Sequence, residues 1–246
     1  MGIDIRAMQK KLEKLNNKGK SNSESAFWKP EDGLHEVRVL PTPDGDPFKE
    51  FWFHYNVGSQ SVMCPKRNFG EDCPICEFAT KLFKSGEPDS VAAAKELFVR
   101  QRFLSPILVR GSEKDGVKVW SYSKVVYEEL LKTVLDPDFG DITDPENGFD
   151  LKVDKNKKPG ARYSMMGVKP KPKSTPMCKG LDSQECKDLL DSIPDLSAIF
   201  TRMSTKEVQA ALDKHLAEPD ETSVGVEKGG GGVDNAVDAA IRELDL

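Results

Sequence analysis

Alternating polar and apolar side chains mark the start of the folded part of the chain. In HEVRVL, residues 35–40, Val37 and Val39 fall on one side of an extended strand, and an aromatic-rich strand follows at residues 48–57. A period of two is typical of a strand with one buried face. The same pattern predicts further strands at residues 98–110 and 117–123, and a pair of strands within residues 148–172 around a lysine-rich turn.

Helical periodicity separates these strands. Apolar residues recur every three to four positions at residues 75–85, 91–97, 124–136 and 183–216, and again at residues 3–16. Several short strands interrupted by helices are typical of a small Greek-key barrel such as the OB-fold. We therefore expect a mainly β fold with helical insertions, built on a five-stranded OB-fold barrel.

Composition divides the chain into three parts. Residues 17–25, NKGKSNSES, have the composition of a linker, and so do residues 217–233, which include four consecutive glycines. We expect a basic helical arm and linker at residues 1–26, a folded body at residues 27–216, and a flexible linker with an acidic tail at residues 217–246.

The net charge of −5 hides an uneven distribution of charge. Residues 217–246 hold eight acids and two bases, which leaves residues 1–216 at +1, and residues 151–179 carry nine bases against one acid. A basic body with an acidic tail favours a polyanionic partner, and a tail that competes for the same surface.

The apolar runs are too short for a membrane span or a secretory segment, so the sequence predicts a soluble intracellular protein with no membrane partner. Five cysteines of this spacing suit a reducing compartment better than a disulfide framework. Cys178 and Cys186 are interpreted as ordinary thiols.

Four residues have zinc-ligand spacing: His54, Cys64, Cys73 and Cys76. A CxxC pair alone is ambiguous between metal binding and redox chemistry, but a third cysteine and a histidine nearby favour metal. Zn²⁺ prefers tetrahedral sites, and three cysteines with one histidine form a closed structural set. We expect one structural Zn²⁺ in a subdomain at about residues 50–97. The alternative is a set of reduced thiols beside a solvent-facing histidine.

Basic and aromatic residues alternate on three predicted strands. Cations that follow the phosphates and rings that stack on bases are the usual means of binding single-stranded nucleic acid. The alternative is that the rings are core residues and the lysines a solvated surface. The candidate DNA contacts are Arg100, Arg102, Phe103, Lys118, Trp120, Tyr122, Lys155, Lys157, Lys158, Arg162 and Tyr163.

The sequence gives little support to catalysis, and we expect a protein that is not an enzyme. Neither a GxxxxGK[ST] nor a GxGxxG phosphate loop is present. The zinc deaminases need His-x-Glu and Pro-Cys-x-x-Cys, whereas here His54 is followed by Tyr55 and Asn56, and Asp72 precedes Cys73. A closed set of four ligands also leaves no open position for a water.

FWKPEDGLHEVRVLP at residues 27–41, followed by a strand ending in His54, then Cys64 and Cys73-Pro-Ile-Cys76, resembles the single-stranded-DNA-binding (helix-destabilising) protein of T-even and related tailed bacteriophages. The resemblance spans roughly residues 1–216. It implies an OB-fold core, a structural zinc subdomain with a binding cleft between the two, and a role in the cytoplasm of the infected bacterial host.

The resemblance also assigns roles to individual residues. It places zinc on the four ligands named above, adds Tyr127 to the DNA contacts, and matches Arg100, Arg102, Phe103, Trp120, Tyr122 and Tyr163 to the family's binding positions. It implies self-association through residues 1–20 and recruitment of phage replication proteins through residues 234–246. This chain departs from the family in two ways: residues 1–5 lack its compact basic cluster, and its tail is shorter and less acidic.

The leading hypothesis is a sequence-independent single-stranded-DNA-binding protein that coats and protects DNA in phage replication, recombination and repair. The main alternative is a zinc-stabilised protein-interaction module of the replication machinery with incidental nucleic-acid binding. A zinc nuclease or deaminase is a third, weaker alternative, because no catalytic acid stands beside an open metal site.

Overall fold

The computed structural model describes residues 26–58, 60–157, 159 and 164–217. Within them, seven strands pair antiparallel in a single sheet, which confirms the prediction of a mainly β fold. The five-stranded OB barrel within this sheet stays a prediction. The strands are β1 Gly33–Val39, β2 Lys49–Val57, β3 Gln60–Met63, β4 Arg100–Val109, β5 Lys118–Tyr122, β6 Phe149–Asn156 and β7 Met165–Ser174.

Strand β4 organises the sheet. Its first half pairs with β2, its second half with β1, and its central residues pair with β5. Beyond these, β3 pairs with β2, β6 with β1, and β7 with β6. Because successive side chains of a strand point to opposite faces, β4 defines an inner face that carries Phe103 and Ile107 and an outer face that carries Leu104 and Leu108.

Six α-helices lie within the described residues: α1 Pro65–Phe69, α2 Pro74–Ser85, α3 Pro88–Leu97, α4 Lys124–Leu135, α5 Ser183–Asp191 and α6 Thr205–Ala217. The first three begin with proline, whose fixed φ suits the first helical position and whose missing N–H costs nothing there. Gly70 and Gly86 end α1 and α2 in the left-handed conformation. No helix of the described ranges is both long and apolar enough to cross a membrane.

Two hydrophobic cores fill the inner face. In the main core, Trp28, Phe103 and Trp120 pack against Val126 and Leu130 of α4. The second core lies at the β2–β3 end, around the four predicted metal ligands. Its apolar residues come from four elements: Val62 of β3, Ile75 and Ala79 of α2, Leu97 of α3, and Val208 and Leu212 of α6. Residues of α6 thus complete a core whose other members lie more than a hundred positions earlier.

The middle of the outer face is covered by the segment that follows β7. Met177 and Leu189 pack on Leu40 and Leu108, and Leu196 packs on Leu104. Cys178 and Cys186 form a disulfide between this segment and α5, so the interpretation of these two residues as ordinary thiols is wrong. The outer face therefore stays accessible mainly at its two ends.

Candidate metal centre and nucleic-acid interface

The four predicted metal ligands come together at the second core. His54 lies on β2, Cys64 follows β3, and Cys73 and Cys76 flank the start of α2. Their ligand atoms all lie within 4.8 Å of one another, and His54, Cys64 and Cys73 are buried. The spacing in the sequence therefore identified a cluster that can hold one metal ion, consistent with zinc.

The distances in this cluster match a tetrahedral site. Zinc–sulfur bonds of about 2.3 Å and zinc–nitrogen bonds of about 2.0 Å put the ligand atoms of a tetrahedron roughly 3.5–3.8 Å apart. The His54 Nε2 atom lies 3.4 Å from both Cys73 Sγ and Cys76 Sγ. Cys64 Sγ lies 3.6 Å from Cys76 Sγ. These separations fit one small ion with four protein ligands.

A backbone contact orients the histidine ligand. His54 Nδ1 lies 2.8 Å from the carbonyl oxygen of Leu97, the last residue of α3. Since a carbonyl only accepts, Nδ1 carries the proton and Nε2 presents its lone pair to the cysteines. A second partner of this kind fixes both the tautomer and the orientation of a metal-binding imidazole.

The local backbone favours thiolates. Cys64 caps the start of α1 and its sulfur accepts from the Arg67 N–H at 3.5 Å, while Cys73 and Cys76 lie at the positive end of α2. Hydrogen bonds from Cys73 and Cys76 lower the pKa of Cys64 to about 3. The pKa of Cys76 is raised because its thiol proton is shared with Cys64. The helix N-termini and these hydrogen bonds thus favour the thiolate form, which is the form that binds zinc.

Three of the predicted DNA-contact rings lie in the main core instead. Phe103, Trp120 and Tyr122 are buried, and Trp120 is 0% exposed. Trp120 packs edge-on against Trp28 at 5.7 Å, and the Tyr122 hydroxyl lies 2.7 Å from Ser105 Oγ. The period-two pattern did place these rings on one face, but that face is covered by α4. In this structure none of the three rings is open to a base, and stacking on them stays a prediction.

The other predicted contacts are scattered. Tyr127 of α4 is half-buried and stacked on Phe103, with ring centroids 3.8 Å apart. Burial raises the pKa of Tyr127. Lys118 is half-buried, Lys155 donates to the Pro30 carbonyl at 2.9 Å, and Lys157 is exposed. Lys158, Arg162 and Tyr163 lie outside the described residues, as do residues 1–20 and 234–246.

Arg100 and Arg102 occupy the outer face, opposite to Phe103. Both guanidinium groups lie over the ring of Tyr55, at 6.0 and 5.7 Å from its centroid. Both residues are half-buried, so part of each remains open to solvent. Of the predicted contacts, these two arginines alone are placed together beside aromatic rings on an open part of the described structure.

A groove runs beside these arginines between the β2–β3 hairpin and the segment before α6. We call it the aromatic groove. Two adjoining cavities of 390 and 220 Å³ form it. Phe200 separates them and packs on Phe51 and Phe53, at 5.0 and 4.9 Å between ring centroids. Its lining includes Phe51, Phe53, Met63, Phe69, Phe200 and Arg202.

One wall of the aromatic groove pairs a cation with a ring. The Arg202 guanidinium lies 4.4 Å from the centroid of Phe69, which is 41% exposed, and also pairs with Glu71. Sequence reasoning missed Phe69, Phe200 and Arg202. The aromatic content of residues 48–57 was a signal for Phe51 and Phe53, but nothing local connects residues 200–202 to that strand.

The comparisons with known proteins agree with this geometry. The model of the family described as gp32 DNA binding protein like matches residues 31–217, well over half of the chain. That range includes the Cys₃His cluster, the second core, the aromatic groove and all of the main core except Trp28. No curated protein matches the chain. The chain belongs to the gp32 DNA-binding-protein-like family.

Proposed function

We propose that this protein binds single-stranded DNA without sequence preference and that the aromatic groove receives the bases. The observation that carries the proposal is a groove lined by half-exposed rings and Arg202, with Arg100 and Arg102 next to two of those rings on the neighbouring strand β4. Rings stack on any base, and cations follow the phosphates. Membership of a DNA-binding family supports the same assignment.

The groove favours unpaired over paired bases. Phe69 exposes part of its ring in the groove and Phe200 lines it, whereas the bases of a duplex hide their faces in the stack. Stacking contributes about 1–3 kcal/mol per base and is tolerant of sequence. The protein would therefore hold DNA strands that have already separated, and it would favour further separation by mass action.

We propose that the Cys₃His cluster holds one structural zinc ion. His54, Cys64, Cys73 and Cys76 supply all four ligands of a tetrahedral site, which leaves no open position for a reacting water. The ion would supply folding energy, because metal binding free energy becomes folding free energy when the site forms only in the folded chain. It would fix the β2–β3 hairpin and α1, which form one wall of the groove. We therefore propose a binding role without catalysis.

Two phenylalanines provide a matched test of the groove. Phe69 is 41% exposed inside it, and Phe83 is 48% exposed on α2 outside its lining. We expect Phe69→Ala to weaken oligo-dT binding about tenfold, the loss of one stacking contact. Phe83→Ala should leave the affinity unchanged. Fluorescence anisotropy with labelled oligo-dT, with circular dichroism to confirm folding, makes the measurement.

Equal affinities for the wild type and both variants would contradict placing DNA in the groove. A wild-type protein that is folded and zinc-loaded but binds no oligo-dT at low salt would favour the alternative function. That alternative is a zinc-stabilised protein-interaction module, in which nucleic-acid binding is incidental.

We propose that the protein acts in phage replication, recombination and repair, in the cytoplasm of the infected bacterial host. The acidic tail would recruit partner proteins through residues 234–246, and residues 1–20 would support self-association. Deletion of residues 217–246 should tighten DNA binding at low salt, because eight acids no longer compete with phosphate. Titrations of the full and shortened chains at two salt concentrations test this, and equal affinities at low salt would contradict it.

A further inference from the structure

A row of lysines occupies the other end of the outer face, away from the aromatic groove. Lys152 of β6 lies directly opposite Lys169 of β7, and Lys171 and Lys173 follow on β7 at every second position. We call these four residues the lysine ridge. None of them was among the DNA contacts expected from the sequence, and Lys155, which was, lies on the opposite face of β6.

The ridge is poorly neutralised. Lys171 pairs with Glu36 at 2.7 Å. Within the described part of the chain, Lys152, Lys169 and Lys173 form no ion pair, and Lys152 and Lys169 are exposed. Like charges directly opposite each other on neighbouring strands are destabilising. Glu36, which lies opposite Lys152 on β1 and bonds Lys171, supplies one negative charge against the four lysines, so the ridge keeps a net positive charge that a bound anion would balance.

Protection of a sheet edge explains only part of this arrangement. Strand β7 is an edge strand, and lysines and prolines such as Pro170 and Pro172 hinder unwanted pairing there. Lys152 lies on β6, which is paired on both sides by β1 and β7. Edge protection gives no reason for a second lysine at that position, opposite Lys169.

The geometry of the ridge fits a phosphate chain. Alternate residues of a strand are about 6.8 Å apart, comparable to the separation of successive phosphates in an extended polynucleotide. Lysine acts on phosphate as a point charge and needs no fixed geometry. Phe149, the ring of β6, lies on the inner face and packs on Phe139, so the ridge offers cations without stacking.

Register places the ridge and the groove arginines on the same face. In the strand register, Arg38 lies opposite Leu108 of β4, Glu36 lies opposite Lys152, and Lys152 lies opposite Lys169. All of these side chains therefore lie on the same face as Arg102. The two sites are about 20–30 Å apart along β4. The segment after β7 covers the face between them, so an extended strand would pass over it and needs at least about four nucleotides beyond those that the aromatic groove holds.

We propose that the lysine ridge binds the phosphates of the DNA strand beyond the aromatic groove, as a second contact that adds affinity only for strands long enough to reach it. This inference rests on the proposed function. It adds a polyphosphate site and a dependence on strand length that the groove alone does not have.

The test compares Lys152→Gln/Lys169→Gln with a control that removes the same charge elsewhere, Lys81→Gln/Lys84→Gln on the exposed side of α2. Each full-length protein is titrated with oligo-dT of about 4 and about 16 nucleotides at several salt concentrations. For the long strand, the ridge variant should lose about 1.4 from the slope of log affinity against log salt, at about 0.7 per phosphate contact. Its affinity for the short strand should equal that of the wild type and the control.

An unchanged slope for the long strand would overturn the inference, and so would an equal loss for both lengths, which would make the ridge part of the groove. If the ridge variant bound the long strand more tightly than the wild type does, that would also overturn the inference, and the ridge would instead be a contact for the acidic residues 217–246. A wild type that binds neither strand would refute the proposed function itself, and the inference with it.

Discussion

The two cores of the inner face differ in the kinds of side chain that they bury. The main core packs large rings against an amphipathic helix: Trp28 lies edge-on to Trp120, and Phe103 stacks with Tyr122. The second core has small and aliphatic side chains around His54 and three cysteines. Burial of large rings supplies much free energy by itself, whereas the second core depends on ligand bonds between segments distant in sequence. We therefore expect a metal to stabilise the second core and to have little effect on the main core.

Removal of the metal should produce the largest difference in stability between the two cores. Apparent binding free energies of structural zinc are about 10–16 kcal/mol, and this becomes folding free energy where the site forms only in the folded chain. We expect a strong chelator, or Cys76→Ser, to expose the amides of α2, α3 and α6 to hydrogen exchange while β1 and β6 stay protected.

Cys186→Ser is the matched control for the metal experiment, because it changes a cysteine outside the Cys₃His cluster. Its exchange pattern around α2 should be that of the wild type. Simultaneous loss of protection in both cores on chelation would contradict the division drawn here.

Truncation of a main-core ring should lower the stability of the protein without changing its affinity for DNA. Trp120→Ala removes a fully buried side chain and should cost about 3–5 kcal/mol of unfolding free energy. It should leave the oligo-dT affinity of the folded fraction unchanged, because Trp120 has no surface in the groove. Denaturant unfolding and anisotropy on the same samples make the measurement, and a specific loss of affinity would restore Trp120 as a DNA contact.

Loss of one groove arginine should affect binding without affecting either core. Arg102 is half-buried over Tyr55 on the outer face. We expect Arg102→Gln to lower the slope of log affinity against log salt by about 0.7, the share of one phosphate contact on a single strand. The melting temperature should stay close to that of the wild type. An unchanged salt slope would exclude Arg102 from the phosphate contacts.

The smallest effect concerns the start of α6, which completes the second core. The Ser204 N–H and hydroxyl donate to Glu207, and the backbone hydrogen bond lowers the pKa of Glu207. A lowered pKa means that the charged form stabilises the fold above the ordinary range of a glutamate and that this contribution disappears as the pH falls through the lowered value. Glu207→Ala should thus lower the melting temperature slightly at neutral pH, and the difference from wild type should vanish in acid. A difference that is constant with pH would contradict the capping role.

Sequence reasoning found those features whose determinants are local. The spacing from Cys64 to Cys76 predicts ligands because a metal needs several donors within a short reach, and the alternation around Val37 predicts a strand for the same local reason. The metal cluster was therefore complete from sequence alone.

Features that depend on distant contacts could not be predicted. A period of two puts Trp120 and Tyr122 on one face, but only the packing of α4 decides that this face is covered. Phe200 meets β2 and Arg202 meets α1 across about 130 to 150 intervening positions, and no local pattern signals these contacts. Likewise, the composition of α6 does not show that Val208 and Leu212 belong beside cysteines.

The hydrogen bond from His54 to Leu97 has a consequence for protein engineering. The imidazole is aimed by the end of a helix that supplies no ligand, forty-three positions away. To transfer the Cys₃His cluster to another β-hairpin, a designer must include the terminal carbonyl of that helix, or an equivalent acceptor, together with the four ligands. A graft of the donors alone would have a freely rotating ring and a correspondingly weaker grip on its ion.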